Sequence, residues 1–273
     1  MPTAHVNEVR LYFEDTGAGE IPLVLVHASW VSHHTWDLAA RQLAPSFRVV
    51  TYDRRGHSQS ERLAGQGSVR EDTADLAALI EHLGLAPAYV VGNSFGSCIA
   101  LRLAGERPEL LRGLIAHEPP LFALLADDAE CAPLLAEVER RIHLVVARIA
   151  TGDEVGAAEQ FVETVALGPG AWARLPSQTQ RTFVENAQTF ADESADPEAF
   201  GIDLVPLGRF GKPVLLTLGD QSPPMFAPVV RRLAGILPHT ETLTFSGAGH
   251  IPHVTHPEAY IKAVTSFSRK HGV

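Results

Sequence analysis

Along the chain, short apolar runs alternate with amphipathic segments, and the order of the two is the first structural information. Val9, Leu11 and Phe13 alternate with Arg10, Tyr12 and Glu14 after a short His5-Val6 strand and an Asn7-Glu8 turn. That spacing predicts an antiparallel hairpin at a sheet edge. Pro22 to His27 is a continuous apolar run, Pro213 to Gly219 is a second apolar run, and Phe47 to Tyr52, Ala88 to Gly92 and Leu110 to His117 read as further, mostly apolar strands. Such runs suit strands buried on both faces of a parallel sheet. Between them lie segments of helical period. Thr35 to Ala44 is closed by Pro45, and Leu76, Leu79, Ile80 and Leu83 follow a capping-box pattern at Ser68-Val69-Arg70-Glu71. After the Glu241 to Phe245 strand, Pro257 to Arg269 turns Tyr260, Ile261, Val264 and Phe267 to one side, with Pro257 in the first turn. Strand and helix in alternation imply a mostly parallel α/β sheet with helices on its faces.

The alternation stops after Pro119-Pro120. Leu135, Val138, Ile142, Val145, Val146 and Ile149 form one helical stripe, with Glu137 and Arg141 paired outside it at i, i+4. Val155, Ala158, Val162 and Val165 form a second, ended by Gly168-Pro169-Gly170, and a third helix is expected over Ser177 to Phe190. Strand and helix then alternate again from Pro213, with Phe226 to Leu237 as a further helix. The reading is a discontinuous α/β core over 1–120 and 206–273 with an all-helical cap inserted over 121–205.

Composition narrows the class without altering the architecture. The 273 residues carry 22 basic and 32 acidic side chains, a net charge of −10 with histidines neutral. No basic run is present, so neither nucleic acid nor an anionic membrane is an expected partner. The N-terminal stretch has no basic and apolar signal pattern, and a cytoplasmic protein with a small-molecule partner is expected; monomer and homo-oligomer both stay open. Cys98 and Cys131 cannot build a disulfide framework, and Cys98 reads as a small core residue.

The stretch with the most chemistry is Tyr89-Val90-Val91-Gly92-Asn93-Ser94-Phe95-Gly96, an apolar strand running straight into a helix through Gly-x-Ser-x-Gly. Glycines on both sides let backbone crowd around a sharp turn that lifts the Ser94 hydroxyl out of the sheet, the nucleophile-elbow geometry. A serine needs an oriented base to act as a nucleophile. Asp220 follows the 214–219 strand and His250 follows the 241–245 strand, both at the edge where open α/β sheets place their sites. Ser94, Asp220 and His250 therefore stand in the order acid-second, base-last. Glu118, after the preceding strand, is the rival for the acid. His250, His253 and His256 recur at three-residue intervals, but Pro252 and Pro257 oppose a helix that would present them together, so no metal or other cofactor is expected.

Taken with these residues, the chain resembles the α/β-hydrolase superfamily over essentially its whole length. His27-Ala28-Ser29-Trp30 stands where the family usually has His-Gly, and Asp53-Arg54-Arg55-Gly56-His57-Ser58-Gln59-Ser60 is similar to its Asp-x-Arg-Gly-x-Gly-x-Ser loop. Ala28 and Ser58 replace family glycines. Within it the chain resembles small cofactor-independent esterases, lactonases such as the 3-oxoadipate enol-lactonases, and the so-called non-haem haloperoxidases. The resemblance implies a serine esterase with catalytic Ser94, His250 and Asp220, and an oxyanion hole made by the Phe95 and Ser29 N–H groups, with Trp30 the alternative to Ser29. A mostly apolar pocket for a small ester, thioester or lactone would then be lined by Trp30, His33 and Phe122. Arg55 and His57 are expected to tie loops together, while Trp172 and Asn186 are candidates for substrate contact or helix packing. Carbon–carbon bond hydrolysis, perhydrolysis, cofactor-free oxygen chemistry and a low-turnover ligand receptor are the rival outcomes on the same scaffold.

Overall fold

The strands β1 (Thr3–Val6), β2 (Val9–Thr16), β3 (Ile21–Val26), β4 (Phe47–Tyr52), β5 (Ala88–Asn93), β6 (Leu111–His117), β7 (Val214–Gly219) and β8 (Thr240–Phe245) form one sheet. Its order is β1-β2-β4-β3-β5-β6-β7-β8. The computed structural model describes residues 2–65 and 67–272. The β1–β2 hairpin and the β2–β4 pair are antiparallel, and every pairing from β4 to β8 is parallel. Asn7 and Glu8 both take positive φ, 45° and 63°, as a two-residue turn matched to strand twist requires. All six residues of β5 are buried, which is what the centre of a sheet covered on both faces demands.

Helices α1 (Asp37–Leu43), α2 (Val69–His82) and α3 (Phe95–Glu106) follow β3, β4 and β5 in turn. The segment after β6 is helical from Phe122 to Leu207. It holds α4 (Ala132–Ala150), α5 (Glu154–Phe161), α6 (Ser177–Glu185), α7 (Ala187–Ala195) and α8 (Leu204–Leu207). Then α9 (Phe226–Ala234) follows β7, and α10 (Pro252–Thr255) and α11 (Pro257–Gly272) follow β8. Helices α2, α3 and α9 bury their apolar sides against one face of the sheet, α1 and α11 against the other. Ser68 caps α2 by accepting the Glu71 N–H at 3.2 Å, the capping box read from the sequence. No helix among the described residues is long and apolar enough to cross a membrane.

Three elements differ from the sequence expectation. The helix expected from Thr35 begins as a tight His33–Trp36 turn before α1. Val155 is exposed, while α5 buries the expected Ala158 together with Ala157. The helix expected over 177–190 is two helices broken at Asn186, whose side-chain amide is drawn into hydrogen bonds with the loops after β3 and β4. The apolar helices of this segment pack around Trp30 and among themselves in a core separate from those of the sheet.

Candidate active site

Ser94 sits between β5 and α3 with φ 52° and ψ −121°, a left-handed conformation unusual for a residue with a side chain. The turn is held by backbone: the Ser94 N–H donates to His117 O at 2.8 Å, and the Ser97 N–H to Ser94 O at 2.8 Å. A Cβ on Gly92 would stand 2.5 Å from Gly96 O, and one on Gly96 would stand 2.3 Å from Val26 O. Both flanking positions therefore have room only for glycine. With Phe95 as its first residue, α3 points first-turn N–H groups that lack intrahelical partners toward the Ser94 side of the turn.

The histidine follows β8. Asn93 Nδ2 donates to His250 O at 3.0 Å, tying the loop that carries it to the elbow. The imidazole stacks on Phe226 with centroids 4.5 Å apart and planes at 13°. Its Nδ1–H donates to Glu118 Oε2 at 2.5 Å, while Glu118 Oε1 accepts the Gly219 N–H at 2.7 Å. Glu118 is fully buried and has φ 47°, so the backbone at the end of β6 is bent to aim this carboxylate at the ring. Burial opposes its ionisation, but the hydrogen bond to His250, the electrostatic attraction of that imidazole and the Gly219 N–H outweigh it, and the carboxyl is held below the usual glutamate range. A carboxyl with a lowered folded pKa adds stability above its unfolded pKa of about 4.3, and that contribution is lost as pH falls through the folded value. Glu118→Gln should therefore be less stable than wild type at neutral pH, the gap closing as pH falls below about 4.3 toward the lowered folded value. Urea unfolding across that range is the check; a constant gap would count against the pairing.

The carboxylate facing His250 is thus Glu118, not the expected Asp220. Asp220 is exposed, and its Oδ1 accepts the Gly247 N–H at 2.8 Å and Gln221 Nε2 at 3.1 Å, which holds its carboxyl low on the protein surface. Beside Glu118, His117 is fully buried with Nδ1 against Thr217 Oγ1 at 2.9 Å and Nε2 3.5 Å from Glu118 Oε2. Burial pushes its pKa down to about 4, so it stays neutral. Donor atoms of His117, Glu118 and His250 lie within 4.8 Å of one another, the one such group among the described residues that could hold a metal ion. The 2.5 Å contact inside it is a hydrogen bond, too short for an ion to sit between the two atoms. His253 turns away to Thr35 Oγ1 at 3.1 Å and stacks on Trp36, and His256 is bonded to Thr255.

Ser94 and His250 line one cavity of about 560 Å³ together with Ala28, Ser29, Val31, Phe161, Leu167, Phe183 and Ile251. Exposed Leu38 and Arg41 also stand on its wall, so it opens to solvent. A larger space of about 880 Å³ meets it along Ala166, Leu167, Leu175, His250 and Ile251. Three residues expected in the wall are elsewhere. Trp30 is fully buried among Phe161, Phe183 and Phe190. His33 is buried against Asp53 Oδ1 at 2.7 Å. Phe122 packs on Phe200 and Phe226, behind the histidine. All three are large rings with a drier partner than a solvent-filled pocket.

The loop after β3 brings Ser29 to the cavity. His27, pushed down to about 3 by burial and by Arg54, is neutral; its Nε2 accepts the Arg54 N–H at 2.9 Å and its Nδ1–H donates to Ala28 O at 2.7 Å. Arg55 binds Asp75 and Glu71, and His57 contacts Thr189, so both tie loops as expected. The sequence reading did not find the partners of this loop in the helical segment. Glu193 accepts from Ser29 Oγ at 2.5 Å, and Asn186 Nδ2 donates to Trp30 O and Val31 O at 3.2 and 3.1 Å. Their one sequence signal was position: polar residues at 186, 189 and 193 on what would otherwise be the apolar side of a helix.

An eight-stranded sheet of this order, with a serine at a strained strand-to-helix turn and a carboxylate–histidine pair beside it, defines a class. Residues 21–257 match the α/β-hydrolase fold family, and the chain belongs to it. It is 37% identical over 126 residues to YraK, an uncharacterised hydrolase of Bacillus subtilis, a match that spans 45% of this chain and 46% of that one. It is 24% identical over 276 residues to the pimeloyl-[acyl-carrier protein] methyl ester esterase of Yersinia pseudotuberculosis, covering 96% of this chain and 98% of the other. In fold it is similar to the enol-lactonase of Burkholderia xenovorans, with a TM-score of 0.80 at 21% identity over 97% of this chain and 99% of that one.

Proposed function

We propose that the protein is a serine hydrolase that cleaves a small carboxylic ester, thioester or lactone through an acyl-enzyme. The observation that carries this reading is the 2.5 Å hydrogen bond from His250 to buried Glu118, made by the same imidazole that shares a cavity with Ser94. In this mechanism Ser94 Oγ attacks the carbonyl while His250 Nε2 takes its proton. Glu118 holds the Nδ1 tautomer and stabilises the imidazolium. The Phe95 and Ser29 N–H groups receive the oxyanion, a type of contact worth about 3 kcal/mol per donor. His250 then protonates the leaving group and afterwards activates water. The helical segment acts as a cap, and the largely apolar wall of Val31, Phe161, Leu167, Phe183 and Ile251 favours an apolar acyl group. An esterase and an enol-lactonase among the similar proteins are consistent with acyl transfer to water.

Multiple-turnover assays on p-nitrophenyl esters of increasing acyl length and on simple lactones test the reading. Short and medium acyl chains are expected to turn over, with labelling of one serine by a fluorophosphonate. Labelling without turnover would instead indicate a receptor, and absence of both would end the proposal.

A further inference from the structure

We infer that the cap sets the geometry of the oxyanion loop, with Glu193 a positioning residue that acts through the Ser29 hydroxyl; the inference rests on the mechanism proposed above. The loop after β3 has no glycine, yet Trp30 takes φ 69°. Something must hold it there, and the contacts come from the cap. The Trp30 ring is enclosed by Phe161, Phe183 and Phe190, its carbonyl accepts from Asn186, and the Ser29 hydroxyl donates to Glu193. Asn186, the residue that opens α7, stands at i with Thr189 at i+3 and Glu193 at i+7 on one face of that helix, and all three are buried. A surface helix normally buries its apolar face. Here polar groups face inward, which is costly unless each finds a partner.

They do find partners, and the choice of partner is informative. Glu193 Oε1 accepts from Arg54 Nη2 at 2.7 Å, and the same guanidinium holds Asp72 at 2.7 Å. Anchoring the cap to the core would need only that ion pair. The second oxygen, Oε2, lies on Ser29 Oγ, which pins a residue that lines the cavity and whose N–H the mechanism above assigns to the oxyanion. Fixing the hydroxyl fixes χ1, and the Asn186 bonds to the next two carbonyls fix the adjoining peptide planes. A displacement of about 1 Å in a reacting group can cost roughly 100-fold in rate, so a loop held this way affects kcat without touching substrate.

The test uses p-nitrophenyl acetate and four variants of the full chain: Ser29→Ala, Ser29→Thr, Glu193→Gln and the Ser29→Ala/Glu193→Gln double variant. Ser29→Ala and Glu193→Gln are each expected to lower kcat about tenfold with KM within about twofold. The double variant should be no slower than the slower single, because Ser29→Ala removes the link that Glu193→Gln reverses and weakens, its NH2 now donating to the hydroxyl. Ser29→Thr, which keeps the hydroxyl, should recover most of the loss. Wild-type kcat in Ser29→Ala, or losses that multiply in the double variant, would overturn the inference. Should Glu193→Gln fail to fold, the Ser29→Ala and Ser29→Thr pair still decides it. Ser94→Ala assayed alongside separates the two levels. If it keeps turnover, the mechanism fails and the positioning role falls with it; if it is inactive while Ser29→Ala is unimpaired, only the positioning role fails.

Discussion

Glu118→Gln is expected to lower kcat by roughly 10³- to 10⁴-fold with KM changed by no more than a few fold, on the precedent of amide-for-acid exchange in a serine protease triad. Asp220→Asn is expected to stay within about threefold of wild type. The two outcomes follow from where the carboxylates are. Glu118 has one oxygen on the Gly219 N–H and the other on His250, so an amide in its place must turn its NH2 group toward one of two donors. Either orientation sets donor against donor in a buried site, which unpairs a group or turns the imidazole to the wrong tautomer. A loss of 10⁴-fold corresponds to about 5.5 kcal/mol of transition-state stabilisation. At the surface, Asp220 accepts a turn N–H and a neighbouring amide through one oxygen, and asparagine can accept both through its own oxygen. Steady-state kinetics on an activated ester decide between the two assignments. A large loss in Asp220→Asn, with Glu118→Gln active, would reverse them.

The chain carried this ambiguity openly. Asp220 and Glu118 both follow apolar strands at the same sheet edge, and residue order along the chain says nothing about which side chain turns inward. What separates them is backbone geometry: Glu118 takes φ 47° at the end of β6, and its extra methylene reaches across to the loop after β8. The elbow, by contrast, was legible because its requirement is steric and local. A Cβ at 92 or 96 would collide with backbone, so the glycines announce the turn. The strand-helix order was legible because a mostly apolar run must be covered on both faces, as strands inside a sheet flanked by helices are. Pocket walls were not. Trp30, His33 and Phe122 were read as lining because they lie near site residues along the chain, yet each ring goes to a buried partner contributed by a distant element. Glu193, and the role of Asn186 beyond a candidate for substrate contact or packing, were hidden for the converse reason: the partners of both lie more than 120 residues away, at Ser58, Trp30, Arg54 and Ser29.

Ser94→Ala is expected to reduce kcat on p-nitrophenyl acetate by roughly 10⁵- to 10⁶-fold and to abolish fluorophosphonate labelling, as removal of a serine nucleophile does where the rest of a triad depends on it. The variant should fold normally. The contacts that hold the turn are made by the Ser94 backbone N–H and C=O, and a Cβ is already accommodated at φ 52°. Alanine keeps both, so circular dichroism and thermal unfolding are expected to match wild type within error. That separation makes the variant decisive, because a lost hydroxyl in an intact fold leaves only the chemistry to explain lost turnover. It also discriminates among rivals on the same scaffold. Carbon–carbon hydrolysis through Ser94 would disappear with ester hydrolysis, whereas oxygen chemistry that uses His250 as a base without an acyl-serine would survive. Turnover that persists in Ser94→Ala would therefore move the function from acyl transfer to base chemistry at His250 and Glu118, with the Ser94 elbow reduced to a structural turn.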